Sequence, residues 1–197
     1  MKKFTFIFAL IFSSLQIFAQ RDTSIWMAEQ MVEQNNYIIT IPQKWKSVTL
    51  SAQNEFKYKF ELTGIGVKPM FKDAPVTAFM TLKEIKGDIS VDSVLNLEKE
   101  QLLLLKDRIV ESSAMDFDTA SISIKTGETG TMLHTRYYRR VKVQNYSTYY
   151  FAVKHPKNND VFLMTMTFTY KDSTYKFEFD EKLKNYAERV FSKLKLR

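Results

Sequence analysis

Four strand-like runs with short polar separators fill most of the second half of the 197-residue chain, and they constrain its fold more than any other feature. The runs cover residues 120–126, 132–143, 148–154 and 161–170. Such short separators join neighbouring strands as hairpins, so the pattern predicts an antiparallel meander. A sheet of this kind must bury at least one face against another layer of the domain.

The first half of the chain adds strands and one helix. Residues 37–41 form a β-rich run that Pro42 ends, and alternating apolar residues predict further strands over 56–62 and 76–85. The period then becomes helical, which predicts an amphipathic helix over 91–106 with Ser90 as its N-cap. Four consecutive leucines, residues 102–105, predict that its last turn is buried on more than one side.

The two ends of the domain are less regular. A second amphipathic helix is predicted near residues 180–195, with Asp180 as its N-cap. Residues 24–34 form either a short helix capped by Ser24 or an irregular arm, and the helix is our preferred interpretation. Together the elements predict an α+β fold, an antiparallel β-sheet sandwiched by helices in an α/β/α arrangement. Four residues are expected in its core: Leu95, Leu102, Val190 and Phe191.

The N-terminus has the order of a cleavable secretory signal peptide. Lys2 and Lys3 precede an apolar run over residues 4–12, and a small-residue exit ends at Ala19 and Gln20. The run is shorter than the ~20 residues that cross a bilayer. We therefore expect a signal peptide over 1–19, an arm or short helix over 20–35, and one domain over 36–197. The mature protein is expected to be periplasmic or secreted, without a transmembrane anchor.

The chain contains no cysteine. This excludes disulfides, a cysteine nucleophile, a thiolate metal site and a lipid anchor on cysteine, so the domain must be stable by burial alone. Its 16 Phe, 10 Tyr and 9 Met supply enough large apolar side chains for that core. The net charge of +7 is mildly basic.

The stretch Tyr-Ile-Ile-Thr-Ile-Pro-Gln-Lys-Trp at residues 37–45 is followed by a central helix, a late meander and a closing helix. This order resembles the PsbP/Mog1/DcrB-like superfamily over about residues 36–197. The resemblance implies a sheet with helices on both sides and roles in binding or as accessory proteins. The signal peptide argues against a nuclear transport role, and the missing cysteine argues against an envelope lipoprotein.

Catalytic, metal and cofactor signals are weak, and we predict none of these sites. His134 and His155 lack metal-ligand spacing, and Asp116 and Asp118 form a commonplace acidic pair. Residues 158–160, Asn-Asn-Asp, are typical of a turn rather than a calcium loop. Residues 64–66, Gly-Ile-Gly, precede no helix and are interpreted as loop geometry.

One strand carries a functional hint. Alternation places Arg136, Tyr138, Arg140 and Lys142 on one face, with Tyr137, Arg139 and Val141 on the other. Such a face would bind an anionic partner through charge-assisted hydrogen bonds. The alternative is a solvent-facing scaffold strand whose long side chains cover apolar sheet.

The predicted function is that of an exported, non-catalytic binding or accessory protein. Its partner would be an envelope protein or an anionic envelope component, and the compartment argues against nucleic acid. The alternative is an enzyme acting on the envelope, with a site assembled only in the fold.

Overall fold

The structure is a computed structural model, and it describes residues 29–42, 46–48, 58–63, 77–104, 117–139, 144–170 and 177–197. The strands, numbered in chain order, are β1 Glu29–Glu33, β2 Tyr37–Pro42, β3 Lys46–Val48, β4 Tyr58–Thr63, β5 Thr77–Ile85, β6 Phe117–Ser123, β7 Thr129–Arg139, β8 Gln144–Lys154, β9 Val161–Tyr170 and β10 Leu194–Leu196. The helices are α1 Val91–Leu104 and α2 Phe177–Phe191.

Two antiparallel sheets organise these strands. The larger has seven strands in the order β3-β4-β5-β9-β8-β7-β6, and the smaller has the order β1-β2-β10. The predicted meander is confirmed, because β6, β7, β8 and β9 pair in sequence. Strand β5 then pairs with β9, which places the last meander strand near the middle of the large sheet.

Helices cover both faces of the large sheet, which confirms the predicted α+β class. One face packs against α2 and the small sheet in a core that includes Tyr37, Phe151, Phe168, Phe191 and Leu194. The opposite face packs against α1, where Val94, Leu95 and Leu102 meet Leu133 and Leu163. All four residues expected in the core are buried.

Helix α1 begins as predicted, but its last turn differs. The Ser90 hydroxyl accepts a hydrogen bond from the Ser93 backbone N–H at 3.0 Å, which confirms the N-cap. Leu102 is buried, whereas Leu103 is 42% and Leu104 is 82% exposed, so the predicted burial of the leucine run is wrong for these two. Successive helical residues turn by about 100°, so consecutive leucines cannot all face the same sheet. Leu105 lies outside the described residues.

The two ends of the domain are strands that the sequence analysis did not predict. Residues 29–33 form β1 rather than a helix, because they pair in register with β2, while residues 24–28 lie outside the described part of the chain. Helix α2 begins at Phe177, so Asp180 lies inside it and is not its N-cap. The helix ends at Phe191, and β10 pairs with β2 instead of prolonging it.

The hairpin turns follow local backbone chemistry. Asn159 has a φ of 61°, and the Asn158 side chain accepts a hydrogen bond from the Asp160 backbone N–H at 3.1 Å. The prediction of a turn at residues 158–160 is therefore correct. Gly130 lies against β8, where a Cβ atom would meet the Ala152 carbonyl oxygen at 2.5 Å and the Phe151 ring at 2.6 Å.

Candidate functional site

The outer strands of the large sheet bring polar and aromatic side chains together on the face toward α2. Asp118 of β6 pairs with His134 of β7, and His134 pairs with Tyr149 of β8. Two positions along, Arg136 pairs with Ser147. Directly paired residues project to the same face of a sheet, so these five side chains share one surface. We call four of them the His134 cluster: Asp118, His134, Ser147 and Tyr149.

A chain of hydrogen bonds fixes the imidazole of His134. Its ring stacks on Tyr149 with a centroid separation of 4.3 Å and an angle of 11°. His134 Nε2 lies 2.9 Å from Ser147 Oγ, and Ser147 Oγ donates to the Tyr149 hydroxyl at 3.3 Å. Because the Ser147 proton goes to Tyr149, we assign Nε2 as the donor to Ser147. His134 Nδ1 lies 4.0 Å from Asp118 Oδ2.

The combination of Asp118, His134 and Ser147 has the residue types of a serine-hydrolase triad, but its chemistry differs. In a triad the serine hydroxyl donates to the histidine, whereas the assignment here runs from histidine to serine. Ser147 has no exposed surface (0%), so a substrate carbonyl cannot approach its oxygen in this conformation. The side chain of Asp118, by contrast, is 81% exposed. The arrangement therefore orients His134 on the sheet without providing a nucleophile.

The predicted anion-binding face is described only in part. Arg136 is exposed on the same surface as the His134 cluster. The side chain of Tyr138 lies outside the part of the structure that is described. Arg140 and Lys142 lie outside the described residues. The carboxylate of Asp118 lies on the same face, next to His134, and lowers the positive potential at that end of the surface.

Tyr137 lies on the opposite face of β7, as alternation predicted. It stacks on Tyr146 of β8 with a centroid separation of 5.2 Å and an angle of 2°. The tyrosine pair therefore packs on the α1 side of the sheet and takes no part in the surface around Arg136.

A second polar group lies on the α1 side of the sheet. Burial raises the pKa of the Glu98 carboxyl, and the nearby charge of Lys83 partly opposes this shift. The pKa of the Tyr150 phenol is raised as well, first by burial and then by Tyr137 and Glu98. A phenol with a raised pKa stays protonated at neutral pH, so Tyr150 is a packed side chain that cannot act as a base.

His155 has a structural role. The ring is buried, its Nδ1 accepts a hydrogen bond from the Lys157 backbone N–H at 3.1 Å, and its Nε2 donates to the Arg197 carbonyl oxygen at 2.8 Å. Both ring nitrogens therefore make hydrogen bonds within the fold. Within the part of the chain that the structure describes, no three His, Asp or Glu side chains form a metal-binding group.

Among the described residues, neither helix is long and apolar enough to cross a membrane. Asp116 and the Gly-Ile-Gly segment at 64–66 lie outside the described ranges.

Sequence reasoning missed the proximity of Asp118, Ser147 and Tyr149 to His134. These residues lie on three strands, and only the register of two hairpins brings them together. The available signal was the meander itself, because a fixed hairpin register determines which residues are opposite one another. The exact register could not be read from hairpins whose ends were uncertain by several residues.

Comparison with known proteins finds no matching family model and no matching curated protein. The solved structures that are similar to the chain include the following three. LpqN of Mycobacterium tuberculosis, involved in cell envelope biogenesis, has a TM-score of 0.47 and 15% identity, over 85% of this chain and 90% of LpqN. PA94 of Pseudomonas aeruginosa, a protein of unknown function, has a TM-score of 0.39 and 13% identity, over 83% and 95%. The Ran-binding protein Mog1p of Saccharomyces cerevisiae has a TM-score of 0.43 and 8% identity, over 86% and 96%.

Mog1p is among the structures to which the chain is similar, which agrees with the predicted resemblance in fold. At these identities the likeness concerns the fold alone, and function is inferred from the chain's own residues.

Proposed function

We propose that this chain is an exported, non-catalytic binding protein whose partner carries anionic oxygens. The binding surface would consist of Arg136, Tyr138, Arg140 and Lys142 on one face of β7 and its continuation. The observation that carries the proposal is the exposure of Arg136 beside the ordered His134 cluster. Export rests on the signal-peptide pattern at the N-terminus.

The support beneath this surface is rigid. Strand β7 pairs with β6 on one side and β8 on the other, so its backbone is held in the interior of the sheet. Next to Arg136, the His134 ring is fixed by its stack on Tyr149 and its hydrogen bond to Ser147. A guanidinium on a fixed strand loses less freedom on binding than one on a loop, which favours recognition of phosphate, sulfate or carboxylate groups.

The alternative function, an envelope-acting enzyme, receives less support. The residue types of a catalytic triad occur together at Asp118, His134 and Ser147, but Ser147 is buried. An enzyme would need either a conformation that exposes Ser147 or a nucleophile from elsewhere.

The test uses an anionic polysaccharide, heparin, and vesicles rich in phosphatidylglycerol as probes. We expect Arg136→Glu to weaken binding to at least one of them several-fold, and the wild-type affinity to fall as salt rises. Lys157→Glu is the matched control, because it makes the same charge change at an exposed turn at the other end of β8. Preference for heparin would indicate a glycan partner, and preference for vesicles a lipid headgroup.

Equal losses in the two variants would contradict the proposal, since they would reflect net charge rather than this surface. Binding that is unchanged in Arg136→Glu would contradict it as well. Thermal unfolding should be nearly the same in all three proteins, because isolated exposed charges contribute little to stability.

A further inference from the structure

A groove lies between helix α2 and the edge of the large sheet that strand β6 forms. Its volume of about 510 Å³ is within the range of ligand pockets. The residues that line it are Ser121, Ile122 and Ser123 of β6, Asn185, Glu188 and Arg189 of α2, and Ser192 just after the helix. We call it the β6–α2 groove. The open space beside β6 makes this edge of the sheet accessible to a ligand.

The backbone of β6 presents hydrogen-bond donors and acceptors at this edge. The Ile124 N–H donates to the Glu128 carbonyl oxygen at 2.9 Å, within the hairpin to β7. In an antiparallel pair such bonds recur at every second residue, so the backbone groups of Ser121 and Ser123 point away from β7. No strand in the described ranges pairs with that side of β6. These outward groups can therefore pair with an extended peptide, which adds a strand to the sheet.

One end of this edge is closed. The Lys125 N–H donates to the Leu194 carbonyl oxygen at 3.0 Å, so β10 occupies the outer side of the chain just after β6. A peptide that pairs with Ser121 and Ser123 must therefore begin or end beside Ser123. The C-terminal end of α2 lies near the same point, because β10 follows that helix after a short turn.

The charge at the closed end favours a peptide that begins there. Glu188 lies in the last turn of α2, is half-buried and lines the groove. Within the described part of the chain its carboxylate forms no ion pair, whereas the neighbouring Arg189 is already engaged within the fold. A half-buried carboxylate is stabilised by a cation close to it. The α-ammonium of a first residue supplies such a cation, whereas a terminal carboxylate would be repelled.

We propose that the β6–α2 groove binds the free N-terminus of an extended peptide, which pairs antiparallel with β6. The first, third and fifth residues of the peptide lie opposite Ser123, Ser121 and Thr119. Its second residue lies opposite Ile122, whose side chain packs in the core on the α2 side, so that residue points toward the groove. Antiparallel pairing places the ammonium of the first residue at the closed end, where Glu188 lies.

A random heptapeptide library displayed with free N-termini supplies the probes. We expect the wild-type protein to enrich peptides from it. Synthetic copies should bind with dissociation constants in the micromolar range or weaker, because one short strand makes a small interface. Acetylation of the peptide N-terminus should weaken binding about tenfold or more, because it removes the positive charge. Isothermal titration calorimetry measures both affinities.

Glu188→Gln tests the ion pair from the side of the protein. This variant should bind the free peptides about as weakly as the wild type binds the acetylated ones. Acetylation should have little further effect in the variant, since both changes remove the same interaction. Glu181→Gln is the matched control, because Glu181 is exposed on the same helix and does not line the groove. We expect this control to bind like the wild type.

Ser121→Pro tests the strand pairing. Proline removes the outward N–H without breaking a bond to β7, so peptide binding should be lost. Circular dichroism of this variant checks that it folds, and Glu188→Gln remains as a test that keeps every backbone group.

A library that yields no peptide would overturn the proposal, as would equal affinities for free and acetylated peptides or equal losses in Glu188→Gln and Glu181→Gln. The Arg136→Glu variant should bind the peptides like the wild type, because Arg136 lies on β7 and not on the edge. Failure of the anion-binding proposal and failure of this one are therefore distinguishable.

Discussion

At the scale of single residues, burial decides which polar groups can do chemistry. Ser147 and Tyr150 are both buried, so the serine cannot meet a substrate and the phenol keeps its proton. Arg136 and Asp118 are exposed and can meet a partner. The residue types alone did not separate these cases, because the same strand pattern places alternate residues inside and outside.

Glu98 supplies a residue-scale prediction on pH. Its folded-state pKa is raised by burial, so the folded protein binds this proton more tightly than the unfolded chain does. The resulting stability is present below the unfolded pKa, about 4.3, and is lost as pH rises through the folded pKa. We expect Glu98→Gln to be more stable than the wild type at pH 7, and the two to converge below about pH 4.

Urea unfolding at several pH values measures this difference. Glu100→Gln is the control, since Glu100 is exposed on the same helix and its replacement should change stability little. A Glu98→Gln variant that is less stable at pH 7 would show that attraction to Lys83 outweighs the cost of burial.

At the scale of elements, long periodic segments could be predicted from the sequence and short ones could not. Alternation over residues 76–85 predicted β5, the strand-like run over 161–170 predicted β9, and helical spacing behind Ser90 predicted α1. Strands β3 and β10 have three residues each and form because β4 and β2 pair with them. Such strands depend on distant partners, so their own residues carry too little pattern to reveal them.

The leucine run at the end of helix α1 allows a buried leucine to be compared with an exposed one. Leu102 is 6% exposed and packs against the sheet, so Leu102→Ala should lower the free energy of unfolding by about 2–5 kcal/mol. Leu104→Ala is the matched control, because Leu104 is largely exposed and its loss should change stability by less than about 0.5 kcal/mol. Chemical denaturation compares the two, and equal effects would contradict the packing of this helix.

At the scale of the whole molecule, the two sheets share one hydrophobic core. The cluster that holds Phe151 and Phe168 of the large sheet also holds Ile39 of β2 and Leu194 of β10. The Lys125 N–H of the β6–β7 turn donates to the Leu194 carbonyl oxygen, which joins the end of the large sheet to the start of β10. A chain without disulfides must rely on such shared burial to fold as a unit.

The shared core predicts that the two sheets unfold together. Urea transitions followed by far-UV circular dichroism and by aromatic fluorescence should coincide, since neither sheet can lose its packing alone. Leu194→Ala should lower the free energy of unfolding by about 2–5 kcal/mol. Both transitions should therefore move to lower urea concentration and stay coincident. Lys195→Ala is the control, because Lys195 is exposed on the other side of the same strand. Transitions that separate in the wild type or in Leu194→Ala would show instead that the small sheet is an independently unfolding unit.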